Sequence, residues 1–398
     1  MTTARPVRVL INALHAKTGG GLTYLRAMLP RLAARADLEI HLLVHTGQRS
    51  LLGVAHSQII RHEVDFPDGF VRRLLWEQIV LPHYAWSLAE VTFSPANFGP
   101  LLAPRPVILL RNALAVGAHE TRPAKKLYWA ALGLMTRLSV WRARSVLAVS
   151  RYAASALGFR RSGIAIVPHG VDHQRFHPGS QAREDFLLAV GDVTLQKNYH
   201  TLIDAMAAIP GRSLLIAGRM VDPDYGERLR SQVDRLGLGD RARFLGAVEP
   251  DGLADLYRRC ALFVMPSTVE TFGNPLVEAM ASGCPIVCAS ATALPEILGD
   301  AGQLFDPGNP NDLALKIGIV LNDKARSAEL AERGRERAKL FSWDSTAAHT
   351  AQALIAAGKT EVRLARAGLG WAWVAGLLIA YLAQFTELGV PILTAVIG

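Results

Sequence analysis

Two glutamates, Glu270 and Glu278, are the only charged residues in the stretch STVETFGNPLVEAMASGCPIV, which runs from Ser267 to Val287. The run ALFVMPS before them has the pattern of a buried strand, and LVEAMASG has the pattern of a helix that ends at a glycine. Glu270 is therefore expected at the carboxyl end of a strand, and Glu278 about one turn into the helix. Since a carboxylate accepts hydroxyl hydrogen bonds, this placement suits the binding of a ribose or sugar diol.

The turn TFGNP between the two glutamates opens that predicted helix. Backbone N–H groups near Gly273 and Asn274 point outward at a helix N-terminus, which is a favourable place for phosphate or another anion. A plainer interpretation remains open for two isolated glutamates. In that interpretation Glu270 caps the helix and Glu278 is a solvated helix residue.

The surrounding sequence favours the functional interpretation. Residues 241–310, from RARFLGAVEP to LFDPGNP, closely resemble the C-terminal domain of glycosyltransferase family 4. VPHGVDHQRFHP (167–178) is similar to the family's interdomain segment, and VGDVTLQKNYHTLIDA (190–205) to its phosphate-binding strand and loop. The resemblance implies a GT-B fold and retaining transfer of a sugar from a nucleoside-diphosphate sugar to a hydroxyl acceptor. It also implies a metal-independent reaction with no resident cofactor.

The resemblance assigns roles to the residues around the turn. Glu278 is expected to hold the ribose of the donor nucleotide, and Glu270 to lie beside the donor sugar. The amides around Phe272, Gly273 and Asn274 are expected to meet the sugar and the diphosphate.

The resemblance also assigns the cation that assists departure of the diphosphate, which is Lys197. Many relatives carry a second cation, an arginine, directly after the glycine that matches Gly191 or before the lysine. Here those positions hold Asp192 and Gln196. Arg219, at the carboxyl end of the predicted strand SLLIA, is a candidate substitute, and a plain surface arginine is the alternative.

The N-terminal half contributes a glycine-rich stretch, HAKTGGGLTYL (15–25), which follows the first predicted strand and opens a helix. Glycines allow backbone N–H groups to approach a phosphate or sugar closely, so Gly19, Gly20 and Gly21 are candidate donor-binding residues. A tight turn without a ligand is the alternative. His119, in RNALAVGAHE, is a candidate catalytic residue on the acceptor side, although an isolated histidine is also common on a surface.

Short apolar runs alternate with helical segments along most of the chain, which predicts an α/β protein with two doubly wound Rossmann-like domains facing across a cleft. We expect an acceptor domain over residues 1–175, a nucleotide-sugar domain over 176–345, and a C-terminal helix with an apolar tail over 346–398. The predicted strands are residues 7–12, 39–45, 106–110, 145–149, 164–167, 186–190, 213–217, 242–246, 261–265 and 285–288. The predicted helices include 22–35, 73–89, 198–208, 226–236 and 250–259.

The composition is that of a folded, basic protein. Half of the 398 residues are apolar, and 43 Lys and Arg exceed 34 Asp and Glu for a net charge of +9. Such a balance attracts anions, but the charge is spread along the chain and no nucleic-acid-binding module is visible. The three cysteines form no metal-ligand or disulfide pattern, and the N-terminus lacks a signal-peptide core, so a cytoplasmic protein with buried thiols is expected.

The last segment differs from the rest, because residues 369–383 form an almost uninterrupted apolar run, LGWAWVAGLLIAYLA. As a helix, fifteen residues span only about 22 Å, less than the roughly 30 Å hydrocarbon core. Attachment to the inner face of the cytoplasmic membrane through this tail is expected, with a buried helix or an oligomer contact as the alternative. The basic, aromatic-rich stretches 71–82 and 122–146 suit either a membrane surface or ordinary packing on a sheet.

Together these features predict a glycosyltransferase that binds a nucleotide-sugar donor and a glycan or lipid-linked acceptor of the cell envelope. Two alternatives remain open at this point. One is a sugar-nucleotide epimerase on the same fold, and the other is a non-catalytic scaffold that binds nucleotide-sugar.

Overall fold

A computed structural model describes residues 5–16, 19–48, 57–66, 69–112, 123–158 and 161–359, without the side chains of residues 70, 71 and 123–125. Within these residues the protein contains two all-parallel sheets joined by helices, so the predicted α/β class with two Rossmann-like units is confirmed. His119 and the apolar tail from residue 369 onward lie outside the described residues.

The first sheet has seven strands in the order β3-β2-β1-β4-β5-β6-β7. Its strands are β1 (Val7–Asn12), β2 (Leu38–His45), β3 (Ile59–Val64), β4 (Val91–Ser94), β5 (Pro106–Leu110), β6 (Ser145–Ala148) and β7 (Ile164–Ile166). The helices that connect them are α1 (Gly19–Ala33), α2 (Phe70–Ile79), α3 (Leu81–Leu88), α4 (Pro123–Arg142) and α5 (Arg151–Ser155).

The second sheet has six strands in the order β10-β9-β8-β11-β12-β13. Its strands are β8 (Glu184–Val190), β9 (Ser213–Ala217), β10 (Ala242–Gly246), β11 (Cys260–Met265), β12 (Ile286–Ala289) and β13 (Gln303–Phe305). Its helices are α6 (Tyr199–Met206), α7 (Pro223–Arg235), α8 (Pro250–Arg259), α9 (Asn274–Ala281), α10 (Leu294–Leu298), α11 (Pro310–Asn322) and α12 (Lys324–Ala338).

Burial on both faces explains the unbroken apolar runs. In β1, Val9 and Ile11 pack into the main core, while Leu10 between them packs into a second cluster on the opposite face with Trp76 and Leu81 of the α2–α3 pair. Successive side chains of a strand point to opposite faces, so a strand covered on both sides needs apolar residues at every position.

The strand order reverses direction between β1 and β4 in the first sheet and between β8 and β11 in the second. Open parallel sheets bind ligands at such switch points, outside the carboxyl ends of the strands. In the second sheet the two loops at this point begin with Gly191 after β8 and with Pro266 after β11. The candidate residues Lys197 and Glu270 belong to these loops.

Several elements differ from the prediction for identifiable reasons. The strands β3, β4 and β13 were not predicted: β3 (IIRHEV) is rich in polar residues at the sheet edge, and the other two are only 4 and 3 residues long. The single helix predicted over 73–89 is two helices, because Pro82 lies in the first turn of α3. Proline has no N–H to continue a helix and is tolerated at such a start.

The last described helix, α13 (Trp343–Gly358), packs against α1 and β1 of the first sheet. Arg31 of α1 contacts Asp344 at 2.6 Å, and Tyr24 meets Trp343 edge-on with ring centroids 6.0 Å apart. The part of the chain beyond the second sheet therefore returns to the first.

Two further expectations concern cysteines and the membrane. Cys260, Cys284 and Cys288 are free and buried, as expected. Among the described residues, none of the helices has the length and apolar character needed to cross a membrane.

The crossing of α13 depends on a close backbone contact at Gly170, because a Cβ there would lie 2.1 Å from the Trp343 amide nitrogen. We expect Gly170→Ala to lower the free energy of unfolding by about 2 to 3 kcal/mol, since two backbone segments would have to separate. Urea denaturation measures the difference. Gly239→Ala is the matched control, because a Cβ at Gly239 meets nothing within 4 Å. Equal midpoints for the two variants would contradict the prediction.

Candidate functional site

The ammonium of Lys197 contacts Glu270 Oε1 at 2.6 Å in the cleft beyond the carboxyl ends of β8 and β11. Their side chains are only 15% and 17% exposed. The structure thus brings together two residues that are far apart in sequence and that the sequence analysis singled out separately. In a partly desolvated cleft such a pair interacts much more strongly than it would on an open surface.

Lys197 is positioned by the residues on either side of it in the loop. Asn198 adopts a left-handed conformation with φ 55°, and its side-chain amide donates to the carbonyl oxygens of Pro266 (3.1 Å) and Pro307 (2.9 Å). Gly191 provides the space over which the lysine side chain lies, because a Cβ there would be 2.8 Å from Lys197 Cε. Asparagine tolerates this backbone conformation better than most residues, which explains its place after the lysine.

Glu270 is held by the loop that follows β11. The Thr268 amide donates to the Gln196 carbonyl at 2.9 Å, which ties this loop to the residue before Lys197. The Glu270 amide donates to Thr292 Oγ1 at 2.9 Å. These contacts set the distance between the two charged side chains from the backbone of both loops.

The N-terminus of α9 lies directly after Glu270. Gly273 precedes the helix with φ 90° and supplies no side-chain cap. Pro275 has no N–H and the Leu276 amide donates to the Gly273 carbonyl at 2.9 Å, so the amide of Asn274 is the one that the first turn leaves for a ligand among the described residues. The φ of 90° favours glycine in this turn, and a Cβ on Gly273 would also lie 3.0 Å from Leu294 Cδ2. Uncapped N–H groups at a helix N-terminus attract anions, as expected for the donor diphosphate.

The side chain of Phe272 is almost fully buried and packs against His169 and Phe341, with ring centroids 5.1 and 5.6 Å apart. Asn274, by contrast, is only half-buried, and its Oδ1 lies 3.0 Å from Nδ1 of His169. Phe272 therefore serves the core with its side chain, and only its backbone is available to a ligand.

Glu278 lies one turn into α9, where Tyr257 donates a hydrogen bond to its Oε2 at 3.1 Å. Burial of the carboxyl raises the pKa of Glu278 from its ordinary 4.5 to about 7, against the opposing effects of Tyr257 and Arg175. A carboxylate kept in such a place has few partners of its own. It is therefore able to accept hydrogen bonds from a ligand diol.

Arg219, the candidate second cation, makes a two-pronged contact with Asp192, with Nη2–Oδ2 at 2.6 Å and Nε–Oδ1 at 3.1 Å. Asp192 is the residue that replaces the arginine expected after Gly191. The four side chains Arg219, Asp192, Lys197 and Glu270 form two ion pairs whose formal charges cancel.

The glycine-rich stretch lies across the cleft from α9. Helix α1 begins at Gly19, and a Cβ added to Gly20 would lie 3.3 Å from Arg111 Nη2 and 3.6 Å from Asn274 Nδ2. A Cβ on Gly21 would lie 3.3 Å from Arg111 Nη1. Gly20 thus lets α1 approach both Arg111 of its own half and Asn274 of the other half, whereas Gly21 lets α1 approach Arg111.

Two residues of this region, Arg111 and His169, were not singled out from the sequence. Arg111 follows β5 directly, and His169 lies in VPHGVD between the two sheets. The signal for Arg111 was available, because a charged residue directly after a buried strand lies at the ligand-binding edge of a parallel sheet. His169 carries no comparable signal, since its neighbours come from distant segments.

Hydrogen bonds join the two halves of the protein beside the candidate site. Thr271 Oγ1 donates to the Arg111 carbonyl at 2.5 Å, and Ser150 Oγ donates to the Thr271 carbonyl at 2.6 Å. Glu296 of α10 accepts from the amides of Arg151 (2.9 Å) and Tyr152 (3.2 Å). The residue after Glu270 is thus attached to the first sheet.

Over the part of the chain that the structure describes, no group of three or more His, Cys, Asp or Glu side chains is placed to hold a metal ion.

Part of the chain is similar to a known protein family and to characterised relatives. Residues 171–337 match the family model described as "Glycosyl transferases group 1". The D-inositol 3-phosphate glycosyltransferase of Mycolicibacterium smegmatis is 37% identical over 213 residues, which is 49% of this chain and 47% of that protein. The O-antigen chain mannosyltransferase B of Escherichia coli is 33% identical over 178 residues, which is 43% of this chain and 46% of that protein.

This chain therefore spans just under half the length of these two relatives. Solved structures match over more of the chain. Sucrose-phosphate synthase from Thermosynechococcus elongatus has a TM-score of 0.72 at 22% identity and covers 87% of this chain and 98% of its own. Anabaena HepE in complex with UDP and glucose has a TM-score of 0.72 at 22% identity and covers 88% and 100%. These likenesses show the expected GT-B fold.

The raised pKa of Glu278 has a measurable consequence for stability. The folded protein holds a proton that the unfolded chain releases as the pH rises from 4.5 to about 7. The contribution of Glu278 to the free energy of unfolding therefore decreases as the pH rises through that window. We expect Glu278→Gln to be more stable than wild type by up to about 3 kcal/mol near pH 8, with little difference near pH 5.

Urea denaturation at the two pH values measures this difference. Glu227→Gln is the control, because Glu227 is exposed on α7. A stability gain for Glu278→Gln that is the same at both pH values would show that its carboxyl is not held protonated by burial.

Proposed function

From the match of residues 171–337 to the group 1 glycosyl transferase family, we propose that this protein is a retaining hexosyltransferase. It moves a sugar from a nucleoside-diphosphate sugar to a hydroxyl acceptor. The observation that carries the proposal is the contact between Lys197 and Glu270 at 2.6 Å, beside the uncapped N-terminus of α9. The ammonium group and the helix N-terminus lie side by side, and both stabilise the negative charge that develops on a leaving diphosphate.

The donor is held along α9 in this proposal. Glu278 accepts hydrogen bonds from the ribose diol, and the amides of Gly273 and Asn274 face the diphosphate. Glu270 orients the hydroxyls of the donor sugar and is not required as a covalent nucleophile. Because HepE is a structure with UDP and glucose, UDP-linked hexoses are the first donors to test.

The transfer then proceeds on one face of the sugar. The bond between the anomeric carbon and the diphosphate oxygen breaks, and its electron pair stays with the diphosphate. Lys197 and the α9 amides stabilise the negative charge that develops there. The acceptor oxygen forms the new bond on the same face, and the acceptor's proton passes to the leaving phosphate oxygen.

The domains divide this work between them. Residues 176–345 hold the donor nucleotide-sugar, and residues 1–175 supply the acceptor side. His119, which lies outside the described residues, stays a proposed catalytic residue on the resemblance alone. Gly19, Gly20 and Gly21 allow the first domain to approach the donor diphosphate. Arg219 remains a donor-binding candidate, although its guanidinium is engaged by Asp192.

The acceptor is proposed to be a glycan or lipid-linked sugar at the inner face of the cytoplasmic membrane. An O-antigen chain mannosyltransferase among the relatives supports an envelope glycan. An exposed stripe on α4 supports a membrane surface: Leu127, Leu134 and Trp141 recur every seven residues and are 72%, 56% and 65% exposed. Lys126 and Arg137 are exposed on the same helix, which suits an anionic lipid surface.

The donor site is tested by calorimetry with UDP, GDP, ADP and their common sugar conjugates. One nucleotide is expected to bind wild type tightly and to bind Glu278→Ala and Lys197→Ala weakly. Lys197→Ala is also expected to lower acceptor-dependent nucleotide release by about 10²- to 10³-fold, because one cation is lost from the charge developing on the leaving group. Lys339→Ala, which removes an exposed lysine paired with Glu336, is the control.

The same measurements separate the alternatives. Conversion of the nucleotide-sugar without an acceptor would indicate an epimerase. Tight binding without turnover for any acceptor would indicate a scaffold. If both variants bind nucleotide as well as wild type does, the proposed site is wrong.

The membrane surface is tested by flotation of the full chain with vesicles of phosphatidylglycerol and phosphatidylcholine. The double variant Leu134→Glu/Trp141→Glu is expected to lower the partition coefficient at least about tenfold, because two apolar contacts become charges repelled by the anionic lipid. Leu315→Glu, on the exposed face of α11, is the control. Removing residues 366–398 tests the tail in the same assay, and unchanged partition in both variants would contradict membrane attachment.

A further inference from the structure

Arg111 is a largely but not fully buried cation at the contact surface between the two halves of the protein. Its Nε and Nη1 atoms are shielded from solvent and have no hydrogen-bond partner in the described part of the chain. No ion pair joins Arg111 to a carboxylate among the residues that the structure describes. Burial lowers the pKa of Arg111 from its ordinary 12.5 to about 10, so the group stays charged at neutral pH. A buried and unpaired charge is unfavourable for folding alone, which suggests that its partner is a ligand.

The guanidinium of Arg111 lies between the start of α1 and the ring of Tyr24. The guanidinium lies against the Cα atoms of Gly20 and Gly21 at the start of α1, where an added Cβ would be 3.3 Å from its nitrogen atoms. Its other side faces the ring of Tyr24, with Cζ 5.8 Å from the centroid. A tyrosine ring attracts a cation but cannot neutralise it.

The two histidines near Arg111 do not supply the missing negative charge. Burial, followed by the charge of Arg111, lowers the pKa of His15 and of His169 to about 3. Both rings are therefore neutral at physiological pH. Counting the described residues, the cluster consequently carries one net positive charge, that of Arg111, in addition to the dipoles of the nearby helices.

His169 also orients the amide of Asn274 towards this cluster. Because Asn274 Oδ1 accepts at 3.0 Å from His169, the neutral ring carries its proton on Nδ1. The amino group Nδ2 of Asn274 then faces the first domain, 3.6 Å from the position of a Cβ on Gly20. Arg111 and this amino group thus border the same space from opposite domains.

The charges of the donor site indicate what occupies this space. Lys197 is paired with Glu270, and Arg219 with Asp192, so these four side chains offer a diphosphate no net positive charge. The arginine expected after Gly191 is absent from this chain. Arg111 supplies an uncompensated positive charge from the other domain, next to the N-termini of α1 and α9.

We propose that Arg111, the amino group of Asn274 and the N-termini of α1 and α9 bind a phosphoryl group between the two domains. The ligand class is a diphosphate or phosphate ester. Its source is either the donor's diphosphate, in which case the inference rests on the proposed function, or a phosphate carried by the acceptor. Since Arg111 belongs to the first sheet and Asn274 to the second, the bound phosphoryl group links the two domains.

The proposal is tested on the full chain with Arg111→Met and Arg111→Lys, by calorimetry with inorganic pyrophosphate, orthophosphate, UDP, GDP and ADP. Arg111→Met is expected to weaken pyrophosphate binding by at least about tenfold, because a charge-assisted contact is lost. Arg111→Lys keeps the charge but not the forked geometry. Its affinity for pyrophosphate is therefore expected to lie between those of wild type and Arg111→Met. Arg228→Met is the matched control, since Arg228 also lies over a tyrosine ring, with Cζ 5.6 Å from the Tyr225 centroid.

Thermal melting without ligand separates binding from a structural role. If Arg111 is kept for a ligand, Arg111→Met melts at the same or a higher temperature than wild type while its affinity for the anion falls. A lower melting temperature with unchanged anion affinity would assign Arg111 to structure and overturn the proposal.

The remaining outcomes separate the source of the phosphoryl group from the activity. Weaker binding of pyrophosphate and of nucleoside diphosphates by Arg111→Met identifies the donor as the source. Weaker binding of pyrophosphate or orthophosphate alone identifies a phosphate on the acceptor. If wild type shows no acceptor-dependent turnover and no nucleotide binding but its pyrophosphate binding depends on Arg111, the proposed function fails and this inference stands. Equal anion affinity in wild type and Arg111→Met, or no anion binding by wild type, overturns it.

Discussion

The contact between Lys197 and Glu270 is the constraint around which the second domain is organised. It joins the loops after β8 and β11, which are neighbouring strands at the switch point of the sheet. Parallel strands bring such loops together because their carboxyl ends lie at one edge. The left-handed Asn198 and the Thr268–Gln196 hydrogen bond then fix the two side chains from the backbone, so that neither depends on a flexible surface position.

The electrostatics of this site are nearly self-compensated, which is unusual for a place expected to receive a diphosphate. Asp192 follows Gly191, where the resemblance leads us to expect an arginine, and it pairs with Arg219. The uncompensated charge comes instead from Arg111, which is buried beside Gly20 and Gly21 in the other domain. The distance from Arg111 to the donor site depends on how closely the two domains approach each other. The position of a charge on a rigid loop of the same domain does not depend on that approach.

The approach of the two domains is supported by contacts on both sides of the cleft. Helix α13 returns to the first sheet after the chain has completed the second, and Gly170 allows the backbone crossing at Trp343. Thr271, next to Glu270, donates to the Arg111 carbonyl. Thr271 and Arg111 therefore join the two domains and also border the candidate site.

The sequence by itself determined the α/β class, most strands of both sheets and the positions of Lys197, Glu270 and Glu278 at strand and helix ends. It did so because buried parallel strands require continuous apolar runs, and because these residues sit in long local motifs. Short or polar strands such as β3 and β13 were not predicted, because they have too few apolar residues to give a strand pattern. The pairing of Arg219 with Asp192, the raised pKa of Glu278 and the isolation of Arg111 were decided only by the tertiary structure. Each depends on burial and on partners from distant segments, and no local spacing encodes those.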